Sequence, residues 1–93
     1  MTIERRRVTY EGRVQGVGFR MTARRLASGF VLSGSVRNLP DGRVELVAEA
    51  DPTVLADYLR AVRREFGDMI RDVREESEPT DGEPLAGFSI HYH

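Results

Sequence analysis

The chain has 93 residues, 40% hydrophobic and 31% charged, which predicts one soluble globular domain with a single modest core. It contains no cysteine, which excludes a disulfide framework, a thiol nucleophile and a cysteine-based zinc site, and fits a reducing cytoplasm. Net charge is only −1, and all fourteen basic residues are arginine, which excludes any mechanism that needs a lysine.

Residues 7–14 alternate, with Val8, Tyr10, Gly12 and Val14 on one face and Arg7, Thr9, Glu11 and Arg13 on the other. That pattern predicts a half-buried strand. The period changes at Phe19, where Phe19, Ala23, Leu26, Ala27 and Phe30 fall at helical spacing and Gly29 shortens or ends the helix. "GSVRNLPDGRVELVAEA" predicts a hairpin: Val36 leads into Asn38, Pro40-Asp41-Gly42 makes the turn, and Val44, Leu46 and Ala48 resume a period of two. Asp51 as N-cap and Pro52 at the first helical position open a second helix. Leu55, Tyr58, Leu59, Val62 and Phe66 line its buried face, and Gly67 stops it. A weaker strand is expected over 70–76, then a polar loop "SEPTDGEP", then a last strand in which Phe88, Ile90 and Tyr92 alternate. No linker, repeat or low-complexity run interrupts the chain. The order β-α-β-β-α-β, with a short extra strand possible, predicts an α+β ferredoxin-like sandwich. In it an antiparallel sheet has its first and third strands central and carries both helices on one face. That architecture serves many functions and by itself assigns none.

Function is sought instead at residues 14–20, "VQGVGFR", where two glycines lie between the first strand and the first helix. The dinucleotide pattern would need a third glycine where Met21 stands, and the phosphate loop of nucleotide hydrolases would need a lysine. What remains is a short loop with Arg20 at the mouth of a helix. Consecutive backbone N–H groups in such a loop can form an anion-binding concavity, reinforced by the helix N-terminus and a guanidinium fork. Charge distribution points the same way: residues 1–44 carry nine arginines against three acids, whereas residues 45–93 carry five against twelve. The alternative is a glycine turn chosen for tight packing, with a solvated arginine. No apolar run approaches the roughly 20 residues of a membrane helix, and "MTIERRRVTY" lacks the apolar core of a signal peptide. The chain is therefore expected in the cytoplasm.

"GRVQGVGFR", followed by "VRN" with its Asn38 eighteen residues after Arg20, and then by "DGRVE", resembles the acylphosphatase family. The resemblance covers essentially residues 1–93 as one domain. It implies the same fold and hydrolysis of acyl phosphates to a carboxylate and inorganic phosphate. By position, Arg20 is then the phosphate-binding arginine and Asn38 the water-orienting asparagine, with Gln15, Gly16, Val17, Gly18 and Phe19 forming the phosphate-binding loop. Ser35 stands where the family often carries a large aromatic, which bears on local packing and acyl-group preference.

The residue types suit that chemistry. A carboxylate whose acid has a pKa of about 4–5 departs at neutral pH without a general acid, so the reaction needs charge stabilisation and an oriented water. The carboxamide of Asn38 both donates and accepts hydrogen bonds and so can hold a water. Its simpler role would be to close the adjoining turn. No cofactor or metal is expected, and His91 and His93, two apart on the last strand, lack further ligands. The expected partners are a small acyl phosphate and inorganic phosphate, the latter as product and competitive inhibitor, on a monomer. Two other classes remain open. One is a module that binds phosphate or acyl phosphate without turnover. The other is an RNA-binding sandwich, against which stand an isoelectric point near 6.1 and the in-phase, buried spacing of Tyr10 and Tyr92.

Overall fold

The computed structural model describes residues 2–16, 18–80 and 84–91. The elements follow in the order β1 (Glu4–Gly12), α1 (Phe19–Ala27), β2 (Ser33–Asn38), β3 (Val44–Ala50), α2 (Pro52–Phe66), β4 (Ile70–Glu78) and β5 (Phe88–His91), with a 3₁₀ turn at Gly67–Met69. One five-stranded sheet has the order β4-β1-β3-β2-β5, so β1 and β3 are central as the pattern predicts. The first four strands in that order pair antiparallel. β5 is the extra strand, and it pairs parallel to β2, making the sheet mixed. The direction follows from connectivity: β4 runs opposite to β1, and the chain crosses to the far edge and returns in the direction that β1 and β2 share. The C-terminal ends of β1, β2 and β5 therefore lie at one end of the sheet.

The core forms between sheet and helices. Val8, Tyr10, Val36, Val44, Leu46 and Ala48 face α1 and α2, which contribute Phe19, Ala23, Leu55, Tyr58 and Val62. Phe19 stacks on Phe66 with ring centroids 4.2 Å apart and meets Tyr10 at 5.0 Å. Tyr58 Oη donates to the carbonyl of Ala23 at 2.8 Å and ties α2 to α1 inside the core. Burial raises the Tyr58 phenol far above its ordinary pKa, so it remains a neutral donor. α2 starts as its sequence dictates, with Asp51 Oδ1 accepting from the Thr53 N–H at 2.9 Å.

The opposite sheet face is polar. Arg5 donates to Glu49 Oε1 at 2.8 and 3.0 Å, Arg7 reaches Glu78 at 2.7 Å, and Arg37 reaches Glu45 at 2.9 Å. Register explains two of these pairs, because Arg5 is directly opposite Glu49 and Arg37 opposite Glu45, whereas Arg7 reaches diagonally past its opposite residue Glu76 to Glu78. Glu49 is 8% exposed and its second oxygen accepts from the Leu85 N–H, so this buried carboxylate is fully engaged.

Candidate active site

Where β1 ends, the chain must pass to α1 across the top of the sheet. Gly16 has φ 77° and Gly18 φ 76°, both left-handed. A Cβ at either would meet nothing within 4 Å, so conformation requires glycine here, not lack of room. For L-residues that conformation costs about 1–2 kcal/mol each. Gly18 is also the N-cap of α1, which has no side-chain cap and no acid in its first turn. Among the described residues, none of the turn and cap hydrogen bonds is donated by the N–H of Gly16, Gly18 or Phe19. In contrast to α2, the positive end of α1 is left open.

That end faces a recess of about 140 Å³. Gly16, Gly18, Arg20 and Asn38 form its polar wall, Val14, Phe19 and Ile90 its apolar floor, and Met21 lies at its lip. The structure thus brings Arg20 and Asn38 to one cavity, although they lie on different elements and eighteen positions apart. Arg20 Nη1 donates to the carbonyl of His91 at 3.3 Å, which anchors the guanidinium to the end of β5. Phe19 divides its roles, with its ring in the core and its N–H at the helix start.

Gln15 departs from a simple loop role. Its side chain turns away from the recess and Nε2 donates to the carbonyls of Leu39 and Arg43, at 2.8 and 2.9 Å. The loop after β1 is thereby fastened to both sides of the neck of the β2–β3 hairpin. Val17, Tyr92 and His93 lie outside the described residues.

Asn38 does not close its turn. The turn is held by Leu39 N–H to the Arg43 carbonyl at 2.8 Å, by Gly42 N–H to Leu39 O at 3.2 Å, and by Arg43 N–H to Asp41 Oδ1 at 3.1 Å. Among the described residues the Asn38 carboxamide makes no hydrogen bond. Two contributions to the site were not expected from sequence. Ile90 supplies part of the floor and the His91 backbone holds Arg20; neither residue carries a local signal of that role.

The fold and this cavity define a small α+β protein in which a glycine loop and the uncapped start of α1 share one recess with Arg20 and Asn38. The family model for acylphosphatase matches residues 6–90, and the chain belongs to the acylphosphatase family. A protein named acylphosphatase from Synechococcus sp. (strain WH7803) is 46% identical over 83 residues, covering 88% of this chain and 83% of its own. Another of that name, from Caldivirga maquilingensis, is 41% identical and 92% of each chain is covered. Among solved structures, acylphosphatase from Bacillus subtilis superposes with a TM-score of 0.85 at 34% identity, covering 98% of this chain and all of that one.

Proposed function

We propose that this member of the acylphosphatase family hydrolyses acyl phosphates by in-line attack of one oriented water on a phosphoryl group held by residues 15–19 and Arg20. The observation that carries the reading is Asn38. Its carboxamide lines the same recess as Arg20, takes no partner among the described residues, and leaves the adjoining turn to other groups. A group so placed is available to orient water.

The loop N–H groups, the open end of α1 and the Arg20 fork neutralise the phosphoryl oxygens. The Asn38 carboxamide oxygen accepts a hydrogen bond from the water and so aims the water's lone pair at phosphorus. The new bond joins water oxygen to phosphorus. The bond from phosphorus to the acyl oxygen breaks, and its electron pair leaves on the carboxylate. The water proton passes to a phosphoryl oxygen, since no carboxylate or imidazole is among the described residues that line the recess. This route calls on no metal or cofactor.

The proposal takes residues 1–93 as one domain acting as a cytoplasmic monomer. In support, no helix among the described residues is long and apolar enough to cross a membrane. One sheet edge, β4, is heavily charged and the other, β5, is only four residues long, which disfavours edge-to-edge association. Against an RNA-binding role, the open sheet face carries cross-strand ion pairs, and Tyr10 is buried on the other side. The test is phosphate release from acetyl or benzoyl phosphate by purified protein in excess chelator. Turnover is expected to persist. Metal-dependent turnover would overturn the mechanism, and phosphate binding without turnover would favour the non-catalytic module.

A further inference from the structure

We propose that the outer face of α1 is an acyl-group subsite that selects acyl phosphates bearing a second negative charge, such as the mono-anhydride of a dicarboxylic acid with phosphate. The inference rests on the assignment of the neighbouring recess to the phosphoryl group. A second recess, of about 420 Å³, runs along α1 and is lined by Met21, Thr22, Arg24, Arg25 and Ser28. It adjoins the first through Met21, which lines both and is 63% exposed at their boundary. An acyl chain leaving the phosphoryl site over Met21 would pass onto this open, exposed face of α1.

The chemistry of the groove is cationic. α1 contains three arginines and no acid. Arg24 makes no ion pair or hydrogen bond among the described residues, in contrast to the tightly paired arginines of the sheet. Arg25 has one loose neighbour, Glu65, at 3.7 Å, with both side chains well exposed. The Ser28 hydroxyl is committed to the Arg25 carbonyl at 2.6 Å, so the guanidinium groups are the principal donors. Helical side chains lean towards the N-terminus, which carries Arg24 and Arg25 back over the turn that holds Arg20 and Met21. Four or five residues of helix span about 6–8 Å, within reach of the far end of a four-carbon acyl chain. An apolar stem across Met21 and a terminal carboxylate between two guanidinium forks satisfy both parts of the groove.

The test compares succinyl phosphate with butyryl phosphate, which match in chain length and differ in the terminal carboxylate. The parent is expected to favour succinyl phosphate in kcat/KM by roughly three- to tenfold at low salt, the scale of one or two exposed charge-assisted contacts. The preference shrinks as salt rises. In Arg24→Gln, and further in the double variant with Arg25→Gln, the ratio falls towards one; taking the ratio cancels any general loss of activity. A second measurement is binding of the non-hydrolysable succinyl and butyryl phosphonates by calorimetry. Should neither acyl phosphate turn over while the charge-dependent difference in phosphonate affinity persists and disappears in the arginine variants, the subsite stands and the hydrolytic reading falls. Equal treatment of the two acyl groups by the parent in both assays, or a preference unaffected by the double variant, would overturn the subsite.

Discussion

Gln15 Nε2 donates to the Leu39 carbonyl at 2.8 Å, joining the loop after β1 to the end of β2 across 24 positions of sequence. The same amide reaches the Arg43 carbonyl at 2.9 Å, so one side chain holds both sides of the hairpin neck. Because Asn38 immediately precedes Leu39, this clamp also fixes the distance between the loop and the carboxamide proposed to hold water. Gln15→Met keeps the side-chain length but removes the donor and leaves two carbonyls without their partner. Stability is expected to fall by about 1–2 kcal/mol. The folded variant should lose about tenfold in kcat, since misplacement by a fraction of an ångström weakens in-line attack. Urea denaturation and steady-state kinetics on one preparation check both; parental kcat would remove Gln15 from the positioning of the site.

Arg20 tests where the anion sits. Arg20→Lys retains the charge but not the planar fork, whose parallel N–H groups suit phosphoryl oxygens while Nη1 holds the His91 carbonyl. We expect kcat/KM to fall by about 10²-fold or more in both Arg20→Lys and Arg20→Ala. Competitive inhibition by phosphate should weaken in step. Unchanged phosphate inhibition in a folded Arg20→Ala protein places the anion elsewhere.

Asn38→Ala separates catalysis from folding. The turn's hydrogen bonds belong to Leu39, Asp41, Gly42 and Arg43, so the stability change should stay within about 0.5 kcal/mol. kcat should fall by orders of magnitude while phosphate inhibition persists, because the water contact matters most in the transition state. A loss of about 1 kcal/mol with near-parental kcat would return Asn38 to the turn.

Asp41 gives a pH-dependent readout of the hairpin. The Arg43 N–H bonded to its carboxylate holds its pKa below the usual value, with the Arg43 side chain adding to the effect. A lowered native pKa means the contribution is complete above the ordinary carboxyl range and is lost as pH falls through the native value. The contribution is small, because Asp41 is fully solvent-exposed. Asp41→Asn should therefore flatten part of the decline in urea midpoint as pH falls below the ordinary carboxyl range. Superimposable pH profiles for parent and variant would show that the turn carboxylate does not sense folding.

Local signals accounted for much of the architecture. Asp51-Pro52 opens α2 and Gly67 ends it, as capping chemistry demands, and the five apolar positions expected on its inner face are all buried. α1 begins at Phe19 and stops before Gly29. Strand ends were less legible. β1 starts at Glu4 and β4 runs to Glu78, both beyond the stretches of clear alternation. The extra residues Glu4, Arg5 and Arg6 of β1 and Ser77 and Glu78 of β4 are all polar, and ion pairs such as Arg5 with Glu49 and Arg7 with Glu78 hold them. Hydrophobic periodicity cannot register a strand that is stabilised by partners on another strand.

The sequence alone determined the order of the elements and the ends of α2, each from a local cause: side-chain period, a capping hydrogen bond or a glycine stop. Arg20 was marked by its place at the mouth of α1, and Asn38 by the resemblance of the two motifs to the acylphosphatase family. Tertiary structure decided what surrounds them. The parallel docking of β5 delivers the His91 carbonyl to Arg20, the Gln15 clamp holds the neck of the β2–β3 hairpin, and Ile90 completes the floor of the recess. These relationships join residues 24 to 71 positions apart and depend on strand order and direction. Local propensity carries no information about which edge a last strand will choose; that is settled by which arrangement buries the shared core and pairs the sheet edge.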